Sequence, residues 1–434
     1  MAVTERKSLI PVKETIVVPY NNGATYTAGT TITLLFGAGQ ANTWLVQDSF
    51  IQFNYLLDLV ETSSKNYYIR DINMIFDWVE VVYQGKQVTI QNFNQQMQFI
   101  KWVQKGGDYL DAQFFSNTTS KNIDYTRLKI TSGTSSSGSS TNNKLIGCII
   151  RVSELFDLFE HATEIPLNLL DNQIQLNFHL AHPSTYLMTA TKSTDNDDLY
   201  LFKPIPASTS IQYNNFRIER FELHLKDKVE LSSEFKENST FKINYEMNQI
   251  ALRSIEGKDF SAGMSLNLPF SIVTENVDSM GIYFYKEGNP CIAYRPEIIN
   301  ANFKYGNYNS PFSPINVDSY TNPGVYKGII NDTFDITTSY FATTNYDFNM
   351  SYPYLPYGST DYGVIGKEDC HIVLATDFVT DEGIIGAPSS TWNSQYIFQA
   401  NASGKALDDS TACMWVKSRY MAFIRNGQLE SVNV

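Results

Sequence analysis

The residues of this chain that could most readily bind a metal or act as nucleophiles are five histidines and four cysteines. They are His161, His179, His182, His224, His371, Cys148, Cys291, Cys370 and Cys413. His179 and His182 lie three positions apart in a strand-like stretch, and that spacing places them on opposite faces of a strand. Cys370 and His371 are adjacent and would also point apart. The spacing therefore disfavours a local metal pair, although a Cys–His nucleophile assembled from distant residues stays open.

The cysteines are far apart and include no C-x-x-C pair, which zinc sites typically use. We expect buried, reduced thiols and a reducing compartment. Three acidic residues cluster in the segment ATDFVTDEG, namely Asp377, Asp381 and Glu382. Their oxygens could bind Ca²⁺, but a solvated loop between strands is the favoured interpretation. Carboxylates for glycoside hydrolysis cannot be identified, because their diagnostic quantity is a distance in space. No catalytic, cofactor-binding or metal-ligating residue is predicted, and no cofactor.

Composition narrows the class of protein further. The formal net charge of −13 disfavours a broad nucleic-acid surface, because neutralising phosphates requires clustered Lys and Arg. Charged residues make up 18% of the chain, below the roughly 25% of an ordinary soluble domain. Such a weakly charged surface is compatible with extensive subunit contacts. The first ten residues contain no apolar core typical of a signal peptide, and no apolar run approaches the roughly 18 residues of a membrane span.

The main pattern is an alternation of apolar and polar residues that recurs along most of the 434 residues. Alternate side chains of a strand point to opposite sides, so each run predicts a strand with one buried face. The alternating sets are Ile51/Phe53/Tyr55/Leu57/Leu59, Ile72/Met74/Phe76/Trp78, Ile174/Leu176/Phe178/Leu180, Phe221/Leu223/Leu225, Phe241/Ile243/Tyr245/Met247, Met264/Leu266/Leu268/Phe270/Ile272 and Tyr346/Phe348/Met350/Tyr352. The chain is therefore predicted to be a large all-β protein.

Turns and helices are few. Hairpins are predicted at Val79–Ile90 (turning at Gln84-Gly85), Tyr420–Val432 (turning at Asn426-Gly427) and Ile282–Tyr294 (turning at Glu287–Pro290). Two short helices are predicted, Gln91–Val103 and Ser153–His161, the second with Ser153 as its N-cap. A parallel βαβ fold would need a helix between most strands and is disfavoured.

Loops divide the chain into similar halves. Thr131–Lys144 is a low-complexity polar stretch that we expect to be an exposed loop. Ser310–Gly324 and Pro353–Gly363 are expected to be long Pro/Tyr-rich contact loops. The domain boundary is predicted within Val229–Asn238. The predicted organisation is an N-terminal arm (1–13), a first eight-stranded jelly-roll β-sandwich (14–230) and a second one (231–434), with short inserted helices.

The succession of elements is distinctive. It consists of NNGATYTAGTTITLLFGAG, TWLVQDSFIQFNYLLDL, INMIFDWVEVVYQGKQVTI, NFNQQMQFIKWV, IGCIIRVSELFDLFE, EIPLNLLDNQIQLNFHLA, RIERFELHLKDKVEL, DSMGIYFYKEG, RPEIINANFKYG and RYMAFIRNGQLESV. This order of strands and short helices resembles that of double jelly-roll major capsid proteins. Such proteins build the shells of tailless icosahedral DNA viruses, including adenovirus, virophages and polinton-like viruses. The chain is shorter than the adenovirus hexon and resembles the compact, virophage-like members.

The resemblance implies a non-enzymatic shell protein that self-assembles. Its expected partners are two further copies in a pseudo-hexameric trimer, neighbouring capsomers, and penton or minor capsid proteins, with an internal membrane left open. Its expected location is the virion, after assembly inside the host cell. Two alternatives stay open: a carbohydrate-binding or hydrolytic β-sandwich protein, and a viral spike or minor capsid protein.

Overall fold

The structure is a computed structural model of the full chain. The residues it describes are 12–20, 23, 25–37, 42–61, 65–69, 72–94, 96–97, 100–101, 129–134, 146–192, 200–204, 211–229, 240–256, 265–272, 274, 277–286, 298–305, 308–316, 373–377, 379–380, 383–384, 395–402 and 409–433.

Strands dominate these residues. Up to residue 230 they are β1 (Val12–Val17), β2 (Thr25–Tyr26), β3 (Thr31–Phe36), β4 (Asn42–Leu45), β5 (Phe50–Glu61), β6 (Asn66–Ile69), β7 (Phe76–Tyr83), β8 (Lys86–Asn92), β9 (Lys129–Thr131), β10 (Gly133–Thr134), β11 (Ile146–Arg151), β12 (Glu164–Pro166), β13 (Ile174–Leu180), β14 (Leu187–Lys192), β15 (Tyr200–Pro204) and β16 (Gln212–Val229). Beyond it they are β17 (Phe241–Ile255), β18 (Ser265–Ser271), β19 (Val277–Lys286), β20 (Ile298–Tyr305), β21 (Tyr308–Asn316), β22 (Val373–Asp377), β23 (Val379–Thr380), β24 (Gly383–Ile384), β25 (Gln395–Ala402), β26 (Ser410–Arg425) and β27 (Gln428–Asn433).

Eight strands before residue 230 form two facing sheets. One sheet pairs β1 with β16, β16 with β5, and β5 with β11. The other has the order β3-β13-β7-β8. In chain order these eight strands are β1, β3, β5, β7, β8, β11, β13 and β16. When they are counted from one to eight, one sheet has the order first, eighth, third, sixth. The other sheet has the order second, seventh, fourth, fifth. This is jelly-roll topology. Shorter strands extend the first sheet, and β15-β14-β6-β9 form a separate sheet.

The strands after residue 240 repeat the same order. One sheet is β17-β26-β19-β22, with β27 paired to β26, and the other is β18-β25-β20-β21. Strand by strand, β17, β26, β19 and β22 therefore correspond to β1, β16, β5 and β11. The predicted all-β fold of two consecutive eight-stranded jelly rolls is confirmed. We call these units the first and second sandwich. Strand β16 ends at Val229, the first residue of the predicted boundary region Val229–Asn238, and β17 begins at Phe241.

The core of the first sandwich follows the predicted alternation. Ile51, Phe53 and Tyr55 of β5 are fully buried. The ring of Phe53 lies 6.0 Å from that of Phe76 in the facing sheet and 5.6 Å from that of Phe221 in β16. In the second sandwich Phe284 contacts Phe398, with ring centroids 6.0 Å apart, so Phe284 points inward from β19. Burial of such aromatic side chains stabilises each sandwich by about 1.5–3 kcal/mol per ring.

Several predicted elements are wrong in detail. Ile72–Ile75 is a 3-10 helix rather than a strand, and all four of its residues are buried, so a strand alternation does not apply to Ile72 and Met74. Further 3-10 helices are Leu167–Leu169 and Pro183–Thr185. Gln91 and Asn92 end β8 and are not helical. Within the predicted helix Gln91–Val103 the described helical residues are 96, 97, 100 and 101, and Asn94 caps them by accepting a 2.8 Å hydrogen bond from the Met97 amide.

The predicted helix Ser153–His161 is two four-residue helices, α1 (Val152–Leu155) and α2 (Asp157–Glu160). Phe156 between them has extended backbone angles, which interrupts the helix. Ser153 is not an N-cap, because Arg151 occupies that position and makes no side-chain capping bond. Since Leu155, Phe156 and Phe159 are all buried, packing rather than helical periodicity determines this segment.

Two hairpins have their predicted turns. Gln84 and Gly85 have φ of 51° and 74°, and Asn426 and Gly427 have φ of 51° and 73°. For the third, residues 287–290 lie outside the described residues. The prediction is wrong for Ile282 and Tyr283, however. Strand β19, which contains them, pairs with β26 on one side and with β22 on the other, so no edge is left for a hairpin partner.

The predicted loops are only partly loops. Ser132 is buried, and its hydroxyl donates to Glu61 Oε1 at 2.6 Å; β9 and β10 flank it. Residues 135–145 lie outside the described residues. Ser310–Asn316 belongs to β21, and the rest of the predicted loop 310–324 lies outside, as do 353–363 and the alternating set 346–352. Strand β1 begins at Val12, so the described part of the predicted arm pairs with β16.

We predict that Gly281→Ala destabilises the protein strongly. An added Cβ would lie 2.0 Å from Cζ2 of Trp415, which is fully buried and has no room to move. Overpacking of this kind costs about 1–3 kcal/mol or more of the free energy of unfolding. Gly147→Ala is the matched control in another strand, because its added Cβ would lie 4.0 Å from the nearest atom, Oδ1 of Asn54. Thermal unfolding should separate the two variants, and equal melting temperatures would contradict the packing.

Candidate functional site

The histidines serve structural contacts in the places where the structure describes them. His179 stacks on Trp78, with ring centroids 5.0 Å apart, and its Nδ1 lies 3.0 Å from Thr31 Oγ1. His182 Nδ1 accepts a 3.2 Å bond from the Ser184 amide at the start of a 3-10 helix. His161 follows α2 as its C-cap. His371 lies outside the described residues.

His224 belongs to a charged cluster that ties β1 to β16. Its ring stacks on Phe50 at 4.5 Å, its Nδ1 lies 2.7 Å from Glu14 Oε1, and its Nε2 lies 3.7 Å from Glu222 Oε2. Lys226 also donates to Glu14. Lys226 first, and then His224, hold the pKa of the Glu14 carboxyl below its usual range. The cluster consists of adjacent residues on two paired strands, so it fastens the edge strand.

The acidic cluster is only partly placed. Asp377 ends β22, where its backbone pairs with Ser279. Asp381 and Glu382 lie outside the described residues. No group of three or more His, Cys, Asp or Glu side chains suited to a metal ion occurs among the residues that the structure describes. In the same part of the chain, no helix is long and apolar enough to cross a membrane.

Cys148 and Cys413 are buried free thiols. Burial raises the pKa of Cys413 to about 12 and that of Cys148 still further above its ordinary value. A thiol with such a pKa stays protonated at neutral pH and is a poor nucleophile. This agrees with the predicted buried thiols. Cys291 and Cys370 lie outside the described residues.

Polar contacts connect the two sandwiches at their junction. The tip of the hairpin β26–β27 inserts against the first sandwich: the Gly427 carbonyl accepts bonds from the Tyr83 hydroxyl and from the Asp171 amide, the latter at 3.2 Å. The Tyr83 hydroxyl in turn accepts a 2.9 Å bond from the Asn172 amide. Gly427 has a φ of 73°, and this left-handed backbone conformation is what favours glycine there.

Apolar contacts continue across this junction. Ile243, Tyr245, Ala422 and Ile424 of the second sandwich belong to the same buried cluster as the core of the first sandwich. Helix α2 packs against β17. The two sandwiches therefore share a core rather than being connected only through the chain between them.

A buried ion pair lies beside the shared core. Lys101 Nζ is 2.8 Å from Asp157 Oδ1, and the two side chains are 2% and 9% exposed. Lys101 also lies over the ring of Phe93, 5.6 Å from its centroid. Asp157 is the first residue of α2, so the pair joins the segment after β8 to the helix that contacts β17. Desolvating two charges is costly, and such a pair fixes one arrangement of these segments.

The outward side of the sheet β17-β26-β19-β22 is also covered. Phe284 points inward, so its neighbours Tyr283 and Tyr285 point outward, yet both are buried. Trp415 pairs with Gly281 on the same outward side and is fully buried. Gln96 of the first sandwich donates a 3.3 Å bond to the Tyr285 hydroxyl. A helical residue that follows β8 thus contacts the outward side of the second sandwich.

Sequence analysis missed the junction. A signal for the ion pair existed, because Lys101 follows Met97 by four residues and so lies on the apolar side of the predicted helix. No comparable signal existed for Tyr83 and Gly427, which are separated by 344 positions in the chain.

We predict that Lys101→Met lowers the free energy of unfolding by about 3–5 kcal/mol, because Asp157 is left as a buried charge without its main partner. The double variant Lys101→Met/Asp157→Leu should recover most of that loss. Lys417→Met is the control, because its 2.5 Å pair with Glu246 is 22% and 35% exposed, and such pairs contribute at most about 1 kcal/mol. Denaturant unfolding at fixed protein concentration measures all three. Equal losses for the Lys101→Met and Lys417→Met variants would contradict the role assigned to burial.

Comparison with known proteins gives a fold. No protein-family model matches the sequence, and no curated protein matches it. Solved structures do match over almost the whole chain. The mavirus major capsid protein is 9% identical with a TM-score of 0.53, covering 97% of this chain and 90% of that chain. The Faustovirus major capsid protein is 8% identical with a TM-score of 0.51, covering 98% and 92%. A chain of the PBCV-1 virus capsid is 10% identical with a TM-score of 0.53, covering 99% and 98%. This chain therefore has the double jelly-roll fold that these viral major capsid proteins share.

Proposed function

We propose that the chain is a major capsid protein whose copies assemble as trimeric capsomers into an icosahedral viral shell. The observation that carries the proposal is the repetition of one jelly-roll topology in two sandwiches that share a core within a single chain. The whole-chain similarity to major capsid proteins supports it. Three such chains supply six sandwiches around one axis, which gives a six-cornered tile. Heterologous contacts between successive sandwiches close such a ring.

The chemistry of the described residues agrees with a structural role. The described histidines stack, cap a short helix or fasten β1, and the two described cysteines are buried and protonated. A shell protein acts through surface contacts, so its function requires no catalysis and no cofactor. A carbohydrate-binding or hydrolytic β-sandwich protein is not favoured, since the whole-chain matches are to capsid proteins. A spike or minor capsid role remains the second candidate within the same class.

The proposal includes the organisation of the chain and its partners. The first sandwich begins at residue 12, where β1 begins, and extends to residue 230; the second covers residues 231–434, and an arm at residues 1–11 precedes them. The partners are two copies in the trimer, neighbouring capsomers, and penton or minor capsid proteins. The location is the virion, after assembly inside the host cell.

We expect a trimer in solution. Obligate interfaces bury about 2,000–5,000 Å², which leaves little free monomer at micromolar concentration. Light scattering should give three times the 49.2 kDa of the chain. Negative-stain microscopy should show six-cornered particles. A stable monomer at micromolar concentration, with no larger species, would rule out the capsomer and favour a binding module.

We also expect the N-terminal arm to act in shell assembly. Arg6 and Lys7 against Glu5 give residues 1–11 a positive charge opposite to the acidic bulk, which suits contacts with neighbouring capsomers on the inner side of a shell. Because β1 begins at Val12, the deletion that spares the sandwich removes residues 1–11. The shortened protein should form soluble trimers but fewer shells, as counted by electron microscopy. Normal shells at normal yield would contradict the role of the arm.

A further inference from the structure

Two hairpins of the chain have the same turn geometry but differ in one side chain. Their central residues are Gln84-Gly85 in β7–β8 and Asn426-Gly427 in β26–β27, and all four have φ between 51° and 74°. Positive φ at both central residues is the mark of a type I′ turn. Asn426 is exposed, and its side-chain amide carbon is close enough to the next backbone nitrogen to close a five-membered ring. The longer side chain of Gln84 does not form that ring, so the two hairpins differ in chemical reactivity.

The Asn-Gly pair has an intramolecular reaction available to it. The Gly427 nitrogen attacks Cγ of Asn426, and the new C–N bond closes a succinimide ring. The bond from Cγ to the side-chain nitrogen breaks, and ammonia leaves with the proton of the Gly427 nitrogen. Water then opens the ring at either carbonyl, which gives aspartate or isoaspartate at residue 426. Glycine favours the attack because it has no Cβ to shield its nitrogen.

The seated hairpin opposes this ring closure. We call the hairpin seated when the Gly427 carbonyl accepts its bonds from the Tyr83 hydroxyl and the Asp171 amide. A type I′ turn has ψ of about +30° at its first central residue, and this angle points the next nitrogen away from Cβ. Ring closure requires rotation about that bond, which the pairing of Arg425 with Gln428 and the bonds to Gly427 restrain. The reaction therefore requires local opening of the hairpin.

The two products affect the junction differently. Aspartate keeps the length of the main chain, and Asp-Gly suits a type I′ turn as Asn-Gly does. Isoaspartate routes the main chain through Cβ and Cγ, which adds one carbon between Arg425 and Gln428. A two-residue turn then no longer matches the pairing of these residues, and the Gly427 carbonyl is displaced from its two donors. A hairpin that contains isoaspartate does not return to its seat.

We propose that Asn426 is a deamidation site that is protected while the hairpin is seated and that makes opening of the junction irreversible. The proposal goes beyond the proposed function, because it concerns the junction within one chain rather than contacts between copies. An opening that would otherwise reverse becomes permanent at a rate set by the fraction of open molecules.

Deamidation rates test the protection. Trypsin cleaves after Arg425, so residue 426 begins the C-terminal peptide 426–434, whose mass and fragment spectrum identify the modified residue. The native chain should deamidate at Asn426 at least about tenfold more slowly than the chain in denaturant at the same pH and temperature. The pair Asn22-Gly23 is the reference in denaturant and should react there as fast as Asn426. Equal rates at Asn426 in the native and denatured chains would overturn the proposal.

Tyr83→Phe tests whether the seat gives the protection. The substitution removes one of the two donors to the Gly427 carbonyl, and the loss of one hydrogen bond should raise the native deamidation rate about fivefold. Tyr420→Phe is the matched control, because Tyr420 lies in the same hairpin and its hydroxyl accepts a 3.3 Å bond from Gln249, away from the turn. Its rate should equal that of the unmodified chain. An unchanged rate in Tyr83→Phe, or the same increase in both variants, would contradict the proposal.

Asn426→Gln tests the irreversible step. Glutamine fits this turn, because Gln84 has the same φ in the other hairpin. The unmodified chain and the variant are aged together in the native state until peptide 426–434 contains isoaspartate, and hydrogen exchange is then measured at the Asp171 and Asn172 amides. In the unmodified chain the fraction of molecules without protection should equal the fraction with isoaspartate, whereas the variant should stay protected. Isoaspartate that accumulates without loss of protection at these amides would refute the irreversible step, even if the rates support the protection.

Discussion

The apolar cluster that extends from the first sandwich into β17 and β26 is the interaction on which the rest of the structure depends. Each sandwich has its own sheets, but Ile243, Tyr245, Ala422 and Ile424 are buried against the first sandwich rather than left on a surface. Close packing of this kind resists small rotations, because interiors are as dense as organic crystals. The hydrogen bonds at Gly427 and the buried pair of Lys101 and Asp157 then select one relative orientation. The proposed six-cornered capsomer would depend on that fixed orientation.

The alternation of apolar residues was sufficient to predict the fold class. Ile174, Leu176, Phe178 and Leu180 form the buried face of β13 because a strand between two others has no alternative register that keeps them inside. The pattern failed where burial was complete. Ile72–Ile75 and Leu155–Phe159 are buried throughout, including the polar side chains of Asn73 and Asp157, so neither a two-residue nor a helical period described them.

Other failures have different physical causes. Pro311 and Pro314 suggested a loop, but both belong to β21, which lies at the end of its sheet in the described residues. Proline has no backbone N–H to donate to a neighbouring strand, and an edge strand tolerates this because it has a neighbour on one side only. Ser132 was expected to be exposed because it lies in a polar segment. It is buried, and its hydroxyl donates a hydrogen bond to Glu61, a residue 71 positions away. The junction itself depends on pairs separated by up to 344 positions, and local sequence carries no record of such distances.

The strand order also determines when the protein can fold during translation. Strand β1 pairs only with β16 among the described residues, and Val12 lies opposite Lys228. At about 5–20 residues per second, a ribosome needs roughly 10 to 40 seconds to synthesise the residues that separate these two partners. During that interval the edge of β1 and its apolar side chains have no sheet to join. The hairpin β26–β27 that completes the junction is made last. The edge of β1 therefore stays unpaired in a nascent chain for that interval, and unpaired strand edges are sites at which chains aggregate.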